Sequence, residues 1–154
     1  MKKLYLLIIA SMFLYTCENP TSSESSENTS WVFIANEGNY GASNGTVSMI
    51  DDQGNMYETE SLGDVVQAVE VYGDKLIVLV NNSHMMKIFD ITDEGLSMPG
   101  IEVSTENSSP REMVVVNDKV YFTNWNSQDV KIFNLFNYTF ETSISINGLP
   151  EDIE

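Results

Sequence analysis

One cysteine, one histidine and one arginine occur in 154 residues, and only seven basic side chains stand against 23 acidic ones. Each scarcity removes a class of chemistry. The single cysteine, Cys17, excludes an intrachain disulfide and a multi-cysteine zinc site. The single histidine, His84 in the polar turn NNSHMM, has no second histidine or cysteine cluster at ligand spacing, so it reads as a solvated loop residue and no metal is expected. Nothing in the chain suggests a Ser-His-Asp arrangement, a phosphate loop or a GxGxxG fingerprint, and no cofactor is expected. The acidic stretch DDQGNMYE places Met56 where a calcium loop requires glycine, which leaves an acidic turn.

The shortage of basic residues is sharper still beyond Cys17. Lys2 and Lys3 precede it, whereas all 23 carboxylates follow it, giving the remainder a net charge of −18 apart from His84 and the termini. Such a surface repels phosphate backbones and anionic headgroups, which excludes nucleic acid as a partner. The charge speaks to solubility rather than to activity.

The first residues, MKKLYLLIIASMFLYTC, have two lysines, an uncharged apolar stretch from Leu4 to Tyr15, and then Cys17. That is the layout of a secretory signal, shorter than the roughly 20 apolar residues of a membrane-spanning helix. The cysteine directly after the apolar stretch resembles the lipobox of bacterial lipoproteins, with Leu14 matching the pattern and Tyr15 and Thr16 bulkier than it prefers. The resemblance implies a membrane partner through a lipid on Cys17; a plain signal peptide with a free thiol is the alternative. ENPTSSESSENTS, residues 18–30, has no aliphatic or aromatic side chain and is expected to be a disordered acidic tether. Acidic residues soon after the cysteine also resemble the tethers of Bacteroidetes surface lipoproteins. The implied location is the outer membrane or cell surface, facing either the periplasm or the outside.

From Trp31 onward the chain repeats itself. GDKLIVLVNNSHMMKIFDI, Gly73 to Ile91, matches NDKVYFTNWNSQDVKIFNL, Asn117 to Leu135, at an offset of 44 residues, with identity at seven of nineteen positions. A period in the forties made of short alternating runs and Asn, Asp, Gly and Ser turns signals four-stranded propeller blades. In the third unit the strands are expected at Glu112 to Val116, Lys119 to Asn124, Asp129 to Asn134 and Phe140 to Ile146. Asn117-Asp118, and Gly73-Asp74 one unit earlier, tolerate the positive φ of tight hairpins. MVVVNDKVYF is apolar on both faces, as suits strands sandwiched between neighbouring sheets.

PREMVVVNDKVYFTNWNSQDVKIFNLFNYTFETSISINGLPEDI, residues 110–153, resembles the YVTN-type β-propeller repeat of bacterial surface and periplasmic proteins. It has a proline and inner strand, an aromatic-rich second strand ending in Asn124, a third strand, and a fourth running into Gly-x-Pro. The first unit is similar, with Asn36 ending its second strand and TVSMID as its third; the second departs, with Val66 and Val80 at the proline and asparagine positions and an outer edge longer by four residues. The expected fold is all-β, a partial propeller of four-stranded antiparallel blades with about two and a half to three blades present of about seven. Its units span about 31–64, 66–109 and 110–149. The stretch 150–154 repeats the opening of the third unit, so the sequence is expected to be the N-terminal part of a longer chain.

In propellers of this kind, sites lie at one mouth of the channel, and the resemblance places Gln67, Arg111, Glu112, Glu151 and Asp152 there. Arg111 beside Glu112 either orients an anionic ligand group bidentately or forms a structural ion pair at the rim. The TNWN stretch sets Trp125 between Asn124 and Asn126, a combination that stacks on a sugar or flat ligand while hydrogen-bonding its edge; packing between blades is the other use of such a tryptophan. No catalytic residue is expected. Two functions follow: a non-catalytic binding or scaffolding module for a protein, glycan or small molecule at the cell envelope, or part of a propeller enzyme, such as a quinoprotein-like dehydrogenase, lactonase or lyase, with its active site in further blades. Fold alone does not choose between them.

Overall fold

The computed structural model describes residues 29–154. The expected signal segment, Cys17 and all but the last two residues of the tether lie outside the described residues. Among the described residues there are twelve strands and no helix, in three antiparallel sheets.

The first sheet contains β1 (Val32–Asn36), β2 (Thr46–Ile50) and β3 (Met56–Glu58). The second has β4 (Val66–Tyr72), β5 (Lys75–Val80), β6 (Met85–Thr92), β7 (Gly95–Leu96) and β8 (Ile101–Ser104). The third has β9 (Pro110–Val116), β10 (Lys119–Asn124), β11 (Asp129–Asn134) and β12 (Thr139–Ser145), hydrogen-bonded in chain order. Its boundaries fall within two residues of those expected from alternation. The β9–β10 hairpin closes on Asn117 and Asp118, at φ 50° and 59°, the left-handed pair that a two-residue turn matched to strand twist requires.

The middle sheet explains why its sequence is apolar on both faces. Along β5, Leu76, Val78 and Val80 pack with Val47 and Met49 of the first sheet, while Ile77 and Leu79 pack with Met113, Val120, Phe122 and Phe133 of the third. These five apolar residues of β5 are fully buried, and each contributes about 1.5–3 kcal/mol of apolar burial. The third sheet differs from the two-sided burial expected of it. One face packs on the middle sheet, but Val116, Ile144 and Ile146 on its strands and their margin are exposed.

In the first sheet β1 occupies the place of a second strand, ending at Asn36 as β10 ends at Asn124, and among the described residues nothing pairs with its other edge. In the second sheet the longer outer edge becomes two short strands: β8 pairs with Met85 to Ile88 of β6, and β7 pairs with Ile91 and Thr92. Gly100 makes the return between them possible. At φ 73° a Cβ there would lie 2.5 Å from the Phe89 ring.

The 44-residue offset persists in the hydrogen bonds that set where β4 and β9 begin. Asn81 N–H donates to the Val65 carbonyl at 2.8 Å and Asn82 N–H to that of Asp64 at 3.1 Å; Trp125 and Asn126 do the same to Ser109 and Ser108 at 3.1 and 2.9 Å. Val65 and Ser109 both adopt left-handed backbone, at φ 65° and 54°, an uncommon conformation for any residue with a Cβ and most so for β-branched valine. These turns place Gln67 and Arg111 at equivalent points one sheet apart.

Candidate functional site

Three of the residues expected at one rim, Gln67, Arg111 and Glu151, contact one another through Arg111. Arg111, near the start of β9, donates from Nη1 to Gln67 Oε1 on β4 at 2.9 Å. On its other side it holds Glu151, with Nη2 2.5 Å from Oε1 and Nε 3.2 and 3.3 Å from the two carboxylate oxygens. All three guanidinium nitrogens therefore have a protein partner, in the forked geometry that makes arginine suited to carboxylates. The Glu151 carboxyl is held below its ordinary value of 4.5, first by the hydrogen bond from Arg111, against a smaller opposing effect of burial, and then by the Arg111 charge and a hydrogen bond from Trp125.

Trp125 completes this cluster. The Arg111 guanidinium carbon lies 4.1 Å from the centre of the indole, within cation–π range, and the tryptophan remains 37% exposed. The register explains the meeting. β10 pairs with β9 through Phe122↔Met113, then shifts at a bulge so that Asn124 faces Pro110, and Trp125 N–H bonds to Ser109. Thr123 ties the cluster together, its hydroxyl accepting from Glu112 N–H at 3.1 Å and lying 3.3 Å from the carbonyls of both Glu112 and Glu151.

The other expected site residues lie apart from this cluster. Glu112 accepts from Met113 N–H at 3.0 Å and does not join Arg111. Asp152 accepts from the neighbouring Ile153 N–H at 2.9 Å. Asn124 is fully buried, accepting from the Ser108 hydroxyl at 2.5 Å and donating to the carbonyls of Phe122 and Asp129 at 3.0 and 3.4 Å. Asn126 donates to the Asn107 carbonyl at 3.1 Å. Both amides are thus engaged with the chain, leaving Trp125 as the open contact of the TNWN stretch. His84 accepts through Nδ1 from Ser109 N–H at 3.2 Å, so it links the β5–β6 turn to the start of the third unit.

Two contacts lie outside the expectations from sequence. The Arg111–Trp125 stack was within reach, because counting residues back from the Asn117-Asp118 turn brings Trp125 alongside Pro110, next to Arg111. Buried Asp64 has no such signal. It accepts from Gly41 N–H at 2.9 Å and from the Asn82 amide at 2.5 Å, and the loop carrying Gly41 is brought to it by packing of the first sheet on the second.

No protein-family model and no curated protein matches the chain. Among solved structures, apo AztD from Citrobacter koseri is similar, with a TM-score of 0.52 at 16% identity over 78% of this chain and 36% of that one. The fold is a partial β-propeller. The likeness concerns the fold alone, and the chain spans about a third of the length of that structure (36%). Within the propeller, Gln67 and Arg111 lie on the first strands of successive blades, and Glu151 follows at the corresponding place after β12.

Proposed function

We propose that the chain is an exported, lipid-anchored propeller of the YVTN-repeat type, acting as a non-catalytic binding module at the bacterial envelope, with the rim formed by Gln67, Arg111, Trp125 and Glu151 as its contact surface. The observation that carries the binding reading is the engagement of Arg111. The only arginine is held by an amide, a carboxylate and an indole, so it acts as a fixed support for Trp125 rather than as a cation free to stabilise a reacting group. A rigid, partly exposed indole presents area at small entropic cost. Among the described residues, no three His, Cys, Asp or Glu side chains gather as metal ligands. The ligand class that suits the rim is a glycan or another ligand with a flat apolar face; Gln67 and Glu151 supply polar groups beside it.

Binding of soluble oligosaccharides to the full chain, followed by tryptophan fluorescence with Trp31→Phe as background, tests this reading. A saturable response lost in Trp125→Ala, without cleavage of the sugar, is the expected result. Hydrolase or dehydrogenase turnover that disappears in Arg111→Lys or Glu112→Gln would replace the binding module with an enzyme. For the anchor, metabolic labelling with a palmitate analogue is expected to mark the full chain and to fail in Cys17→Ser; equal labelling of both would remove the lipid from the proposal.

A further inference from the structure

The opposite ends of the same strands carry a second feature. The turn after β4 and the turn after β9 border a cavity of about 250 Å³, whose lining includes Tyr72, Asp74, Lys75, Asp118, Leu135 and Phe136. Asp74 and Asp118 occupy the same place in successive repeats, so the 44-residue period brings two carboxylates to one opening. Asp118 is fixed by Tyr72, whose hydroxyl donates to Oδ1 at 2.9 Å and accepts from the Asp118 N–H at 3.3 Å. Among the described residues its Oδ2 accepts no hydrogen bond. Lys75 also lines the opening, where its ammonium pairs with Asp90 at 2.7 Å and with Asp74 at 3.5 Å; among the described residues Asp118 is the carboxylate of the lining that no basic side chain pairs.

The remaining wall is apolar. Phe136 is 88% exposed, although its backbone is fixed by the N–H bond to Asn134 Oδ1 at 2.9 Å. Leu135 and the Tyr72 ring complete the lining. A phenyl ring this open at a hairpin tip contributes nothing to the core, while its face is available to a cation. At about 250 Å³ the cavity falls just below the ~300–1,000 Å³ of sites for drug-sized ligands, which restricts the occupant to a short stem with a single head group.

We propose that this pocket between the second and third blades binds a small organic ammonium ion, its charge held chiefly by Asp118 and its aromatic or aliphatic stem against Phe136, Tyr72 and Leu135. The net charge of −18 beyond Cys17 adds long-range attraction for a cation. Neither Arg111 nor Trp125 takes part, so the site is independent of the rim.

The test titrates the full chain with phenethylammonium, using ligand-observed NMR and calorimetry, with 2-phenylethanol as the uncharged counterpart. Saturable binding of the amine and none of the alcohol is expected. Asp118→Asn keeps an acceptor for Tyr72 and tolerates the left-handed turn; it should weaken binding about fivefold, the effect of removing one charge at ~4 Å in water. Phe136→Ala, at an exposed position, should weaken it about threefold. Trp125→Ala should leave it unchanged. Equal binding of alcohol and amine would overturn the proposal, as would an affinity indifferent to Asp118→Asn and Phe136→Ala. A loss in Glu60→Gln, outside the pocket, as large as in Asp118→Asn would also overturn it, showing diffuse charge attraction in place of a site.

Discussion

Trp125 provides an optical report on the charge state of its neighbours. Because Glu151 is held below 4.5 chiefly by its hydrogen bond from Arg111, the ionised pair contributes fully above the ordinary glutamate range and is lost as pH falls through the depressed folded value. In a Trp31→Phe background, emission should stay flat from pH 7 to about 5 and change only below that, as Arg111 loses its carboxylate partner. The step should vanish in Glu151→Gln; persistence there would assign it to another group. The two asparagines beside the indole separate structure from surface. Asn124→Ala takes the acceptor from the buried Ser108 hydroxyl and removes the amide donor shared by the Phe122 and Asp129 carbonyls, and should cost about 1–3 kcal/mol in urea unfolding. Asn126→Ala removes one exposed contact and should cost no more than ~0.5 kcal/mol. Similar losses at both positions would contradict this division. Sequence placed Asn124 and Asn126 together in one stretch, but their different burial depends on the Ser108 segment folding over β10, a contact that alternation does not encode.

Elements were more legible than sites. The alternation of Val120 and Phe122 with Tyr121, and the Asn117-Asp118 turn, are local statements, and β9 to β12 follow them because local preference and global packing agree. The second sheet obeys the same pattern in β4 to β6. Its divided outer edge was visible as extra length, but the hydrogen bonding of β7 and β8 to different halves of β6 was not, since it depends on Gly100 passing close to Phe89. The two-sided burial of β5 leads to a direct contrast. Leu79→Ala, in the interior between two blades, should cost about 2–5 kcal/mol in chemical unfolding. Ile144→Ala, on the open side of β12, should stay within about 0.5 kcal/mol. If Ile144→Ala were as damaging as Leu79→Ala, the outer side of the third sheet would have to be covered in solution.

At the scale of the whole molecule, the propeller was legible from one repeat offset even though the similar solved structure shares only 16% identity; the period survives because each unit must bury the same faces against its neighbours. What the rim and the acidic pocket bind was not legible in the same way, because they combine side chains from separate units. The outward faces carry a further consequence. Val32, Ile34 and Met56 on the first sheet, and Val116 and Ile144 on the third, are exposed, and apolar sheet faces of this kind promote association. Opposing that is the charge of −18 beyond Cys17, whose repulsion reaches ~30 Å at 0.01 M salt but only ~8 Å at 0.15 M. For the chain from Glu18 onward, sedimentation velocity should therefore show more self-association as salt rises between those limits. Ile144→Glu should reduce association at the higher salt by placing charge on the open face. A chain equally monomeric at both salts would mean that the exposed residues do not form an adhesive surface; association that falls as salt rises would make ion pairs between copies, rather than these apolar faces, the cause.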